Sequence, residues 1–104
     1  MDVSQTQHER QAEKARLEAE IAVLESKDGE RVFVNEEIHR IDALMKGLPE
    51  GVKGHLSLRD LLDLEKRALK SNPRRAVQTK LDHLHRAVDD VEAELRTLDM
   101  EQRQ

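Results

Sequence analysis

The sequence predicts an all-α protein, an antiparallel helical hairpin of coiled-coil type with a kink in each arm. Three observations predict it. First, Val77, Leu81, Leu84, Val88, Val91, Leu95 and Leu98 follow one another at spacings of 4, 3, 4, 3, 4 and 3. That is an unbroken apolar stripe on one helix face, at the period of a coiled-coil seam. Second, charged residues make up 38% of the chain and hydrophobic residues 37%, with one aromatic residue, Phe33. A thick globular core draws its volume from large rings. Their scarcity points instead to long helices packed along narrow seams. Third, the two weak points for a helix, Gly29 and Pro73, lie at nearly equal distances on either side of Val52. Folding the chain back at Val52 sets the two weak points side by side.

Residues 4–46 read as one long helix, with Ser4 as its cap. Leu17, Ile21 and Leu24 open a seam at 4, 3 spacing, and Val34, Ile38, Ile41, Met45 and Leu48 continue one at 4, 3, 4, 3. From Leu24 to Val34 is ten residues, a heptad plus three. Such a slip overwinds or bends a coiled coil. Asp28 and Gly29 sit inside it, and a glycine costs a helix about 1 kcal/mol relative to alanine. The expectation is a bend at Gly29, not a loop.

Residues 47–57 form the main break. They hold three of the four glycines and one of the two prolines. Gly47 suits a left-handed position after the helix, Leu48 folds back on the last turn, and Pro49 blocks continuation. Leu48, Val52 and Leu56 are expected to cover the helix ends; left exposed, they would form an apolar contact site. Ser57 suits an N-cap, with Asp60 three residues on completing a capping box.

A second helix runs over about 58–71 with Leu58, Leu61, Leu62, Leu64 and Leu69. Its apolar face is broader than a two-position seam and asks for a further helix. Pro73 removes a donor and clashes with the preceding turn. Asn72 as cap and Pro73 as first helical residue restart the helix, which continues to about 102 and carries the long stripe. The whole chain reads as a single helical domain.

Cysteine is absent, which excludes disulfides and thiolate metal sites. No apolar run reaches the roughly 20 residues that span a bilayer, and Met1 to Arg10 is polar. The expectation is a soluble, cytoplasmic protein with no membrane partner. The formal net charge of −4 gives no overall attraction to nucleic acid or anionic lipid.

Two carboxylate-x-x-His pairs, Glu36 with His39 and Asp82 with His85, have the spacing used by di-iron bundles. The seam turns Ile38 and Ile41 inward and therefore these pairs outward, and no inward glutamates accompany them. His83 and His85, two apart, project to different sides of a helix. No nucleophile arrangement and no glycine-rich phosphate loop occurs. The reading is therefore non-enzymatic, without cofactor or metal.

One charge anomaly stands out. Lys66, Arg67, Lys70, Arg74, Arg75 and Lys80 supply six bases between 66 and 80 with no acid among them. They suit pairing with Glu25, Asp28 and Glu30 on the opposite arm, the negative end of the helix before Pro73, a partner protein, or nucleic acid.

The functional expectation is an interaction or assembly module, adaptor-like or chaperone-like. It would act through a seam of Leu17, Ile21, Leu24, Val34, Ile38, Ile41, Val77, Leu81, Leu84, Val88, Val91, Leu95 and Leu98. A homodimer or another helical protein completes a bundle. The alternative is a nucleic-acid-binding accessory protein that uses the basic stretch 66–80 on a dimer.

Overall fold

A computed structural model describes residues 3–49 and 56–103. Among them are four helices and no strand. They are α1 (Val3–Glu25), α2 (Gly29–Lys46), α3 (Leu58–Ser71) and α4 (Pro73–Gln102). No helix among these residues is long and apolar enough to cross a membrane.

The single helix expected over 4–46 is instead two. Helix α1 already includes Val3, so Ser4 lies inside its first turn and is not its cap. Its end is closed by Ser26, whose hydroxyl donates to the Val23 carbonyl at 2.6 Å and whose backbone N–H donates to the same oxygen at 3.2 Å. A serine that takes up a carbonyl from the turn before it offers the backbone an alternative to helix. After Ser26, Lys27 and Asp28, helix α2 restarts at Gly29, with its first bond from the Val32 N–H to the Asp28 carbonyl at 3.0 Å. The three-residue slip in the seam is thus taken up by leaving the helix, not by bending it.

Helix α2 ends without a left-handed residue. Gly47 has φ −88° and ψ −1°, where the sequence pointed to the opposite hand. The Leu48 N–H donates to the Met45 carbonyl at 3.1 Å, a tightened right-handed last turn that requires no positive φ. Pro49 follows. Val52, the expected centre of the turn, lies outside the described residues. Leu48 is half-buried, whereas Leu56 is exposed and covers no helix end.

The α3 start follows the expected chemistry. The Asp60 N–H donates to the Ser57 hydroxyl at 3.2 Å, and the Ser57 N–H donates to the Asp60 carboxylate at 3.0 Å. Asn72 serves two helices. Its N–H donates to the Ala68 carbonyl at 2.9 Å, ending α3, and its side-chain oxygen accepts from the Arg75 N–H at 3.2 Å, capping α4.

The chain divides into two compact units. In the first, formed by the segments up to Ser26 and from Thr79, Leu17 and Leu24 of α1 are buried with Leu81, Leu84, Val88 and Val91 of α4. Arg10 reaches Glu94 at 3.2 Å, Lys14 reaches Glu92 at 3.2 Å, and Glu25 lies 3.9 Å from His85. Partner numbers fall on one helix as they rise on the other, so the two segments run antiparallel within this unit.

The second unit is Lys27–Gln78. Helix α2 packs on α3, and Gly29, Ile41, Leu69 and Val77 are buried. Lys66 donates to Asp42 at 2.7 Å, and Arg40 lies 3.6 Å from Glu65. Lys66 lies beside Asp42 near the end of α2, whereas Pro73, farther along the chain, lies beside residues near its start, so α3 runs antiparallel to α2. Pro73 lines a shallow open hollow together with Glu30, Arg31, Val34 and Asn35. The start of α4 thus lies beside the first turns of α2.

Candidate interaction surface

Every residue of the expected seam is withdrawn from solvent by the chain itself. Leu17, Leu24, Ile41, Val77, Leu81, Leu84, Val88 and Val91 are buried, and Ile21, Val34, Ile38, Leu95 and Leu98 are half-buried. This is the ordinary arrangement of an apolar helix stripe facing its neighbour. It also means that the seam is not a free surface.

Val23 and Met100 of the first unit stand exposed singly, and the exposed leucines of α2 and α3 are in the second unit. Leu58, Leu61 and Leu64 of α3 are 60%, 51% and 52% exposed, and Leu44 of α2 is 49% exposed. Leu62 and Leu69 turn the other face of α3 inward. At 100° per residue, Leu61, Leu64 and Ala68 share one outer stripe of α3, with Ser57 and Ser71 at its two ends. Arg40 and Leu44 are one turn apart on α2, and Glu65 and Leu61 one turn apart on α3. The contact of Arg40 with Glu65 therefore puts Leu44 on the side of the pair that carries Leu61.

Charge surrounds this surface in locally neutral pairs. Arg40 donates to Glu37 at 2.9 Å as well as meeting Glu65, and both carboxylates hold its guanidinium above its ordinary value, the hydrogen bond to Glu37 contributing most. Arg67 pairs with Asp63 at 2.9 Å. On α3 the backbone N–H and hydroxyl of Ser57 hold the Asp60 carboxyl below the usual aspartate range. The hydrogen bond from Lys66 does the same to Asp42, with smaller help from the charges of Lys70 and His39.

The basic stretch is met in a different way from the one its sequence suggested. Lys66 is held by Asp42 and Arg67 by Asp63, whereas Glu25 lies near His85 and Asp28 is 3.9 Å from Arg31. The antiparallel pairing of α2 with α3 sets Lys66 beside residues 40–42, well past the acids at 25–30. Lys70, Arg74, Arg75 and Lys80 are exposed.

Glu36, His39, Asp82 and His85 are all exposed. Among the described residues no three His, Asp or Glu side chains are grouped to hold a metal ion. No protein-family model, curated protein or solved structure matches this chain.

Sequence reasoning saw that the leucines at 58–69 exceed a two-position seam. It did not separate the inward pair, Leu62 and Leu69, from the outward three. The sequence did not carry that direction: Lys66 lies one turn from Leu62 and marks the inward side only through its pairing with Asp42. Leu44 was missed, because it lies one residue from Met45 and off the 4, 3 spacing of its helix.

Proposed function

We propose that the chain is a cytoplasmic, non-enzymatic assembly module, a helical hairpin that binds another helix through the outer face of α3 and the adjoining Leu44. One observation carries this reading. The seam of α1 and α4 is covered within the chain, while four leucines of the α2–α3 pair stand about half in water. Covering a half-exposed leucine is favourable by about 1 kcal/mol, so a helix laid along Leu58, Leu61, Leu64 and Leu44 gains several such contributions at once. The hairpin itself is part of the proposal. Antiparallel pairing within each unit, and the placement of Pro73 beside the start of α2, support a single chain folded back near its middle.

A photoreactive residue at position 61, in the cells that make this chain, tests the reading. Position 16, on an exposed part of α1, is the control. Adducts with a protein from position 61 and none from position 16 are expected. No adduct at 61 overturns the reading.

The basic stretch supports a second reading, nucleic-acid binding, because Arg74, Arg75 and Lys80 stand exposed with no acid between 66 and 80. Phosphate contacts are strongest at low salt. A mobility shift at about 50 mM salt that is lost on charge reversal at Arg74 and Arg75 would favour it over the first; no shift removes it.

A further inference from the structure

We infer that the helix laid on this surface is α3 of a second copy, running antiparallel about a two-fold axis. The inference rests on the assembly reading and names its partner. Ser57, Leu61, Leu64, Ala68 and Ser71 step by 4, 3, 4 and 3, a second coiled-coil stripe on the outer side of α3. It is short, apolar at its centre and small at both ends. Laid antiparallel on itself, it sets Leu61 of one copy against Leu64 of the other, and Ser57 against Ala68. The same contact is then made twice, which closes the assembly at two chains.

The charges beside the stripe choose the direction. Asp60 and Arg67 flank it on one side, Leu58 and Glu65 on the other. Flanking positions of a coiled coil set partner and orientation. In an antiparallel pair the equivalent flanks meet, so Asp60 of each copy faces Arg67 of the other, and Leu58 lies along the aliphatic part of Glu65. In a parallel pair Asp60 would face Glu65, acid against acid. Asp60 is held ionised by the Ser57 cap, and the Arg67 side chain is 74% exposed and tied to no other helix. Both are placed to serve the antiparallel contact and to oppose the parallel one. Glu65 is already engaged by Arg40 of its own chain, so the leucine side of the contact carries no unbalanced charge. Leu44 widens the apolar area from α2.

Light scattering after gel filtration tests this on the purified full chain. Twice the chain mass is expected. Arg67→Glu sets acid against Asp60 at both contacts and should weaken the dimer about tenfold, while Arg67→Lys keeps the sign and should stay within about twofold. Leu61→Asp combined with Leu64→Asp should give a monomer with unchanged helical circular dichroism, since both side chains are already exposed. Direction is read by mixing a Leu61→Cys chain with a Leu64→Cys chain and adding a short thiol cross-linker. Mixed dimers are expected. Like-with-like dimers, a wild-type monomer at the highest soluble concentration, or equal behaviour of Arg67→Glu and Arg67→Lys overturns the inference. Adducts from position 61 to a different protein, with a monomeric purified chain, would overturn the two-fold pairing and leave the assembly reading standing. No adduct at all would remove both.

Discussion

Ser57 and Asp60 hold the start of α3 by exchanging two hydrogen bonds, and both ends of that exchange can be tested. Removing a capping hydroxyl costs about 1 kcal/mol, so Ser57→Ala should lower the stability of the second unit by about that amount in a urea titration. The carboxyl side carries a pH dependence. Asp60 and Asp42 are both held below the ordinary aspartate value in the folded chain. An aspartate whose folded pKa is depressed binds its proton more readily when unfolded. Its contribution is therefore complete above the unfolded value of about 3.9 and is lost as pH falls through the folded value. The thermal midpoint should hold between pH 7 and 5 and drop below about pH 4. Asp42→Asn should flatten part of that drop without touching the Ser57 cap; a drop of unchanged depth would show that Asp42 has no share in it. Lys14 has the opposite sign. The hydrogen bond it donates to Glu92 raises its pKa, so its smaller, solvent-screened contribution is present at neutral pH and is lost in strong alkali.

The helices divide by what their leucines face. Leu84 of α4 is 5% exposed and Leu61 of α3 is 51% exposed. Leu84→Ala should cost about 3 kcal/mol, from lost transfer and the hole left behind, and Leu61→Ala under about 0.5 kcal/mol in the monomer. Paired urea titrations, run dilute enough to keep the chain monomeric, measure both, and equal costs would mean that the two faces are assigned wrongly. The same division explains how far the sequence was legible. The stripe of α4, the restart at Pro73 and the Ser57 capping box follow from period, ring chemistry and side-chain oxygens, and these act locally. The ending of α1 at Glu25 was less legible. A three-residue slip can be absorbed by bending or by leaving the helix, and the choice fell to Ser26, whose hydroxyl captures the Val23 carbonyl. Gly47 was misjudged for a similar reason. A glycine after a helix permits a left-handed turn without requiring one, and the Leu48 N–H closes the turn the other way. The open leucine face was half legible: its excess of leucine was plain, but its direction depends on Lys66 finding Asp42 across the helix pair.

At the scale of the whole chain, the hairpin reading predicts that each antiparallel pairing joins two segments of one chain. Two copies could exchange arms and keep every pairing within a unit, because exchange preserves the local contacts. The connection of residues 47–57 is what differs, since it turns back in one case and runs on in the other. The absence of cysteine gives a clean background for deciding. Lys14 and Glu92 meet at 3.2 Å in the first unit, and Asp42 and Lys66 at 2.7 Å in the second. Replacing one pair at a time with cysteines and adding a short bis-maleimide should link each pair. Within one chain, the product keeps the mass of a single chain on a denaturing gel and migrates faster because it is looped. Between exchanged chains, the product doubles in mass, even though every other contact has been dissolved by the detergent. The single-chain product is expected for both pairs, because a hairpin brings the two arms together at the effective concentration of a short tether, far above that of a second copy. A doubled product at both pairs would convert the hairpin into an exchanged dimer. In that assembly the leucines of α3 would still face outward, and the cross-link between Leu61→Cys and Leu64→Cys chains would then report a contact between dimers.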